Sequence, residues 1–239
     1  MKYGYIGLGN LGGHIAASLQ RAGHSIVVHD INKALGERHV AAGAVWADSP
    51  ADLAAQVDHV FTCMPSPTIS EAVLSQILTT FKPGGTWIEN STNGRDEMQR
   101  LAAMAEAKGI RVLEAPVTGG VHLAARGEIT VLVGGDKELF ALHKPALEAI
   151  GNKTFHMGDI GSAAIIKVIT NMLAFIHLVA DAEALMLAKR GGLDLGQAWA
   201  AITASSGTSF VHETEGQLIL NGSYDIAFSM DLALKDLGF

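Results

Sequence analysis

Short apolar runs rich in β-branched residues alternate with helical patterns from residue 1 to about residue 157. The strand-like runs are KYGYIG, SIVVHD, DHVFTCM, TWIEN, IRVLEAP, ITVLVGG and KTFHM. Strands that alternate with helices are typical of parallel sheets with helical crossovers. This part of the chain is therefore predicted to be an α/β domain.

The pattern changes after Gly161, where no further convincing strand occurs. Helical spacing covers residues 162–190, about 194–204, about 208–220 and about 229–239. We therefore expect two domains, residues 1–161 and an all-helical part at 162–239. The last pattern, FSMDLALKDLGF, has no evident C-cap, so the chain is expected to stop inside a helix and the helical domain to be incomplete.

Composition and charge narrow the classes of ligand. The 239 residues carry a net charge of −7 with dispersed Lys and Arg, which argues against nucleic acid or an anionic membrane as the main partner. Cys63 is the single cysteine, and the first strand begins at Lys2, so neither a disulfide nor a leader is expected. We expect a cytoplasmic protein with small-molecule ligands. The histidines are scattered, so no metal site is expected.

A glycine-rich motif follows the first strand and opens a helix. It has the GxGxxG form and comprises Gly7, Leu8, Gly9, Asn10, Leu11 and Gly12. In this setting the first glycine permits a tight turn, the second lets a pyrophosphate approach the backbone, and the third lets helix and strand pack closely. The motif predicts a Rossmann-type dinucleotide site in a doubly wound sheet. The alternative is a plain strand-to-helix turn.

Three later strand ends are predicted to face the same crevice. The second strand ends in Asp30, where a carboxylate would bind an adenosine ribose and repel a 2′-phosphate, which favours NAD over NADP. Met64-Pro65 and Ser91-Thr92 follow two further strands. Taken separately, each of these is an ordinary strand exit.

The helical pattern at 162–190 carries three polar residues on one side. Lys167, Thr170 and Asn171 are spaced by three and four residues. A desolvated lysine has a lowered pKa and can accept a proton near neutral pH. The alternative is a lysine whose amine reaches solvent. Although the stretch 163–180 is nearly long enough to span a membrane, its polar residues favour a buried helix.

Two further motifs carry polar groups. In EAPVTGG a strand runs into Thr118, Gly119 and Gly120. The backbone N–H groups of this turn and the Thr118 hydroxyl could bind a carboxylate. The alternative is a plain turn, which also uses two glycines. Lys235-Asp236 lies on an amphipathic helical pattern, where such a pair usually forms a solvated face.

Together these motifs resemble the β-hydroxyacid dehydrogenase family. YIGLGNLGGHIA is similar to its N-terminal signature, EAPVTGG to its substrate loop, GSAAIIKVITN to its lysine segment and DLALKDLG to its late Lys-Asp motif. The resemblance spans essentially the whole chain. It implies a Rossmann domain, then a long helix and an all-helical domain that packs against a partner subunit in a homodimer or homotetramer.

The resemblance also implies roles for individual residues. Lys167 and Asn171 would be catalytic, and Thr118, Gly119 and Gly120 would bind the substrate carboxylate. The implied cofactor residues are the glycine motif, Asp30, Met64, Pro65, Thr92 and Lys235. Thr118 stands where the family has serine, and Asn93-Gly94-Arg95 departs from the family's usual residues.

The expected function is hydride transfer between NAD and a small β-hydroxy acid or its semialdehyde, with Lys167 as general acid and base. NADP is the less expected cofactor. Reduction of tartronate semialdehyde or succinic semialdehyde is an alternative use of the same residues. A non-catalytic dinucleotide-binding scaffold and an imine reductase are alternatives of other classes, and both would be expected to lack this lysine.

Overall fold

A computed structural model of the chain describes residues 1–223 and 227–239 and divides them into two units. The first unit is Met1–Val168 with Phe239, and the second is Ile169–Gly238. The change from one unit to the other falls inside a long helix. The domain boundary after Gly161 stays a prediction.

The first unit contains the strands of the described residues. They are β1 (Lys2–Ile6), β2 (Ser25–His29), β3 (Val45–Trp46), β4 (His59–Thr62), β5 (Thr86–Glu89), β6 (Arg111–Glu114), β7 (Val117–Thr118), β8 (Thr130–Gly135) and β9 (Lys153–Gly158). The two-residue strand β3 was not predicted, because it is too short to show a periodic pattern. The strand predicted to run into Thr118 is divided into β6 and β7.

The four helices after Gly161 begin within two residues of where the pattern predicts them. In the described residues the helices are α1 (Gly12–Arg21), α2 (Glu37–Ala41), α3 (Pro50–Ala55), α4 (Pro67–Ile77), α5 (Arg95–Glu106), α6 (Gly120–Arg126), α7 (Lys137–Ile150), α8 (Ser162–Arg190), α9 (Leu195–Thr203), α10 (Phe210–Asn221) and α11 (Met230–Leu237). The last helix ends at Leu237, and the Gly238 N–H donates to the Leu234 and Lys235 carbonyls at 3.1 Å. That the helical domain is incomplete stays a prediction.

The strands form one sheet in the order β3-β2-β1-β4-β5-β6-β8-β7, with β9 paired to β8. Strands β1 to β6 are parallel, and the winding direction reverses between β1 and β4. This is the order of doubly wound dinucleotide-binding folds, which bind ligands beyond the carboxyl ends of the strands at that reversal. The predicted fold class is confirmed.

The far edge of the sheet differs from the predicted parallel arrangement. Strand β8 runs antiparallel to β6 and β7, and only β9 is parallel to β8. A buried apolar run such as ITVLVGG indicates a strand but not the direction in which it runs.

The sheet is buried on both faces. Tyr3 and Tyr5 of β1 lie in one apolar cluster, and Ile6 lies in the cluster on the opposite face. Trp87 of β5 is fully buried in the second cluster. Covered faces on both sides keep the loops at the strand ends in fixed positions.

The second unit is helical and contains a buried polar network. His212 Nδ1 lies 2.5 Å from Asp181 Oδ1, and His212 Nε2 lies 3.0 Å from the Trp199 carbonyl. Burial by itself lowers the pKa of His212, but the hydrogen bonds with Asp181 and Trp199 outweigh it, so the pKa is raised. The network joins α8, α9 and α10.

Most of the apolar surface of α8 is exposed in the single chain. The helix is long and apolar enough to cross a membrane by length and composition alone, with a mean hydropathy of 1.9 and 22% of that window buried. Its large exposed side chains include Ile169, Ile176, Val179 and Leu187. One chain alone therefore does not bury α8, and its burial against a partner subunit stays a prediction.

A buried carboxyl group lies at the end of β5. Glu89 is 0% exposed, and its Oε1 accepts from the Ser91 N–H at 2.7 Å while Oε2 accepts from the Thr62 hydroxyl at 2.8 Å. The Trp87 indole N–H donates to the same hydroxyl at 2.8 Å. Burial raises the pKa of Glu89 to about 7, although the bonds from Ser91 and Thr62 oppose the rise.

We predict that Glu89 makes the free energy of unfolding depend on pH. The pKa of Glu89 is 4.5 in the unfolded chain and about 7 in the fold. Between these two pH values the native state keeps a proton that the unfolded state has released. Its stabilising contribution is present below pH 4.5 and is lost as pH rises through 7, by roughly 3 kcal/mol. Urea unfolding of the parent chain and of E89Q at pH 5 and pH 8 measures this. The idea fails if their difference in stability is the same at both pH values.

Candidate active site

Two of the three motif glycines are required by the packing around the loop. Gly7 has φ +95°, and a Cβ there would overlap the Cys63 carbonyl; a Cβ at Gly12 would overlap the Gly7 carbonyl. Gly9 differs, because a Cβ there would meet nothing within 4 Å. The protein's own packing therefore does not require glycine at this position, and the open side fits the close approach of a pyrophosphate.

The first turn of α1 is not capped by a side chain. Its N-cap residue, Leu11, makes no side-chain bond, whereas Ser49, Ser66 and Asp136 cap α3, α4 and α7. The first N–H groups of a helix need partners from outside it. An uncapped start next to Gly9 fits a dinucleotide phosphate.

Asp30 is tied to the glycine loop. Its Oδ2 accepts from the Leu8 N–H at 2.7 Å and its Oδ1 from the Asn32 N–H at 2.8 Å. The next cation along the chain, Lys33, lies 5.7 Å from the centre of the Trp46 ring. Asp30 keeps acceptor capacity on both oxygens, and its binding to a ribose stays a prediction.

The exits of β4 and β5 are joined by a side chain. The Met64 N–H donates to the Ser91 hydroxyl at 2.6 Å, and Ser91 is itself bonded to the buried Glu89. Met64 and Thr92 are half-buried, and Pro65 is exposed. The structure thus brings together two of the strand exits that the sequence predicted to share a crevice.

Asn93 follows Thr92 and was not among the predicted site residues. It is 2% exposed, and within the described part of the chain neither its amide oxygen nor its amide nitrogen has a hydrogen-bond partner. A buried amide without partners is costly. Its place at the carboxyl edge of the sheet fits a ligand group that offers both a donor and an acceptor. Its departure from the usual residues after Ser91-Thr92 was the available signal.

Thr118 and the two glycines after it form a turn at the edge of the sheet. Thr118 lies in β7, opposite Thr130 of β8, and is half-buried. Gly119 has φ +124° and Gly120 has φ +84°, values that residues other than glycine rarely adopt. The turn therefore needs both glycines, and its binding of a carboxylate stays a prediction.

Lys167 lies one turn inside α8 and is 8% exposed. The start of this helix is held by Glu114, the last residue of β6. Glu114 Oε1 accepts from the Gly161 and Ala163 N–H groups at 2.7 and 2.8 Å, and Oε2 accepts from the Ala164 N–H at 3.2 Å. Burial raises the pKa of Glu114, and the three N–H bonds oppose the rise. The sequence analysis assigned no role to Glu114.

Asn171 lies in the second unit with the Lys-Asp pair of α11. Its Nδ2 donates to Asp236 Oδ2 at 2.6 Å, and Lys235 Nζ lies 2.9 Å from Asp236 Oδ1. Asp236 is 2% exposed. The interpretation of this pair as a solvated face is wrong for Asp236, which is buried and bonded to Asn171.

Comparisons with known proteins match the whole chain. Residues 2–158 match the NAD binding domain of 6-phosphogluconate dehydrogenase, and residues 161–239 match a domain described as NAD-binding in NADP-dependent 3-hydroxyisobutyrate dehydrogenase. The chain carries an NAD-binding domain, and the glycine loop described above fits that cofactor.

Individual relatives agree. L-threonate dehydrogenase of Cupriavidus necator is 34% identical over 98% of this chain and 80% of its own length. The 2-(hydroxymethyl)glutarate dehydrogenase of Eubacterium barkeri is 33% identical over 100% of this chain and 80% of its own length. The structure of Mycobacterium tuberculosis 3-hydroxyisobutyrate dehydrogenase with L-serine is 30% identical, with a TM-score of 0.89 over 99% of this chain and 84% of that one. The chain therefore belongs to the β-hydroxyacid dehydrogenase family and is an oxidoreductase of the 3-hydroxyisobutyrate dehydrogenase type.

Proposed function

We propose that this enzyme interconverts a small β-hydroxy acid and its semialdehyde or oxo acid with NAD, and that Lys167 is the general acid and base. The observation that carries the proposal is the burial of Lys167, which is 8% exposed on an apolar helix. Lysines are rarely buried to this extent, and buried ionisable groups cluster at functional sites. Desolvation disfavours the ammonium form and so favours an amine that can accept a proton.

The names of the relatives support the substrate class. Threonate, 2-(hydroxymethyl)glutarate and serine share a carboxylate and a hydroxyl on the carbon β to it. A site for this group needs an anion-binding element and a proton-transfer group. Thr118 with the Gly119 and Gly120 N–H groups would serve as the first, and Lys167 as the second.

The proposed chemistry assigns one task to each side chain. When bound, NAD supplies the group that accepts the hydride from the β carbon. Neutral Lys167 takes the proton of the β-hydroxyl during oxidation, and its ammonium form returns that proton during reduction. The carboxylate held at Thr118 fixes which carbon faces the cofactor. Asn171, whose amide nitrogen donates to Asp236, would hold the amine or the substrate hydroxyl in line.

The same residues would serve the reduction of tartronate semialdehyde or succinic semialdehyde. Initial rates over a panel of β-hydroxy acids and these semialdehydes decide between the directions. The presence of Lys167 argues against a non-catalytic scaffold and against an imine reductase. We also propose a cytoplasmic homodimer or homotetramer that binds neither nucleic acid nor membrane, since a second copy would cover the exposed apolar side chains of α8.

Replacing Lys167 tests the catalytic assignment. In K167A, kcat should fall by about 100- to 10,000-fold, because the proton-transfer group is lost. The NADH dissociation constant, measured by fluorescence, should stay within about twofold, because Lys167 acts on the substrate and not on the dinucleotide phosphates. K144A, which removes an exposed lysine of α7, is the matched control. A kcat within threefold of the parent in K167A would contradict the assignment.

Removing the hydroxyl of Thr118 tests the carboxylate site. T118V keeps the shape of the side chain and loses its donor, so the KM for the hydroxy acid should rise by about 10- to 100-fold, as expected for one bond to a charged group. T118S should restore most of the affinity. An unchanged KM in T118V would remove Thr118 from the substrate site.

Asp30 is predicted to set the cofactor preference. The parent enzyme should have a higher kcat/KM with NAD than with NADP, because the carboxylate repels a 2′-phosphate. Combining Asp30→Ser with Ile31→Arg should shift the ratio towards NADP by about 100-fold, since a bidentate cation then replaces the anion. Asp58→Ser, at an exposed position, is the control. A parent enzyme that prefers NADP would contradict this interpretation of Asp30.

A further inference from the structure

We propose that Glu114 is a positioning residue that sets the location of Lys167 relative to the substrate loop. The proposal rests on the proposed role of Lys167 as the proton-transfer group. Glu114 belongs to the EAPVTGG motif, four residues before Thr118, and the proposal gives it no direct part in the proton transfer.

The carboxylate of Glu114 is the cap of α8. Both of its oxygens accept N–H bonds from the helix start, at Gly161, Ala163 and Ala164, over 2.7 to 3.2 Å. Helices α3 and α7 are instead capped by a residue of their own preceding loop. The start of α8 is therefore located by a strand 47 or more residues earlier in the chain. A carboxylate at this end also interacts favourably with the helix dipole.

The strand end that carries Glu114 is itself fixed. The Ala115 N–H donates to the Glu89 carbonyl at 2.7 Å, and the Pro116 carbonyl accepts from the Leu132 N–H at 2.9 Å. The chain then enters β7 at Val117 and reaches Thr118. One short segment, held between β5 and β8, thus carries both the cap of the lysine helix and the hydroxyl proposed to bind substrate.

The neighbouring strand leaves room for this carboxylate. Gly134 of β8 pairs with Glu114, and a Cβ on Gly134 would overlap Glu114 Oε1 and lie 2.9 Å from its carboxyl carbon. A side chain at position 134 would therefore displace the cap. The carboxyl group of Glu114 is therefore held in place by two features, its bonds to the helix start and the space left by Gly134.

Position matters here because proton transfer depends steeply on distance. Lys167 is three residues beyond the last N–H that Glu114 binds. If the first turn of α8 shifts, the amine shifts with it. A displacement of about 1 Å at a reacting group can cost about 100-fold in rate.

The test compares three substitutions of Glu114 with a change that leaves it in place. E114Q and E114A should lower kcat by about 30- to 100-fold, with the KM for the hydroxy acid and the NADH dissociation constant within about threefold of the parent. E114D retains the charge and should recover part of kcat. G134A should reproduce the loss although Glu114 is intact. E148Q, which neutralises an exposed glutamate of α7, should leave kcat unchanged.

Amide hydrogen exchange gives a readout besides activity. The Gly161, Ala163 and Ala164 amides should exchange faster in E114Q and in G134A than in the parent, while amides of β1 keep their protection.

Loss of turnover in K167A together with full turnover in folded E114Q and G134A would overturn this proposal and leave the proposed function intact. Full turnover in K167A would overturn both. A purely structural role would lower stability and NADH binding together and leave the kcat of the folded fraction unchanged, which would also overturn the proposal.

Discussion

The reversal of winding between β1 and β4 is the constraint on which the first unit depends. It leaves the carboxyl ends of the parallel strands open at one edge, and the glycine loop, Asp30, Met64 and Thr92 all follow those ends. Burial of both sheet faces by apolar side chains makes this edge a rigid base. Loops that leave a rigid base can present polar groups without contributing to the core themselves.

Buried carboxyl groups organise the loops at that edge. Glu89 accepts from the Ser91 N–H, and the Ser91 hydroxyl accepts from the Met64 N–H. One buried acid thus joins the exits of β4 and β5. Glu114 performs the same task for the exit of β6 and the start of α8. Buried N–H groups outside regular structure need acceptors, and a carboxylate offers several in one place. The edge is thus held by a few charged or polar side chains.

The sequence alone predicted the parts of this arrangement that depend on local pattern. The limits of α8 at residues 162 and 190, the parallel half of the sheet and the place of the glycine loop follow from periodicity and from residues close together in the chain. The direction of β8 depends on its pairing with β6 and β7, which an apolar run does not indicate. The partners of Glu114 and Asp236 lie far away in the chain, so no spacing rule could indicate them. An apolar pattern shows that α8 has apolar faces, but not whether residues of the same chain or of another chain pack against them.

The pairing of Glu114 with Gly134 has a consequence for how this sequence can change. Enlarging residue 134 while Glu114 remains forces the carboxylate off the helix start. Losing the carboxylate first leaves the three N–H groups at and just before the start of α8 without this acceptor. Neither single step is neutral, although the two residues lie opposite each other on neighbouring strands. The pair therefore behaves as one mutational unit, and libraries that diversify β8 for new substrates should keep position 134 fixed or vary it together with position 114.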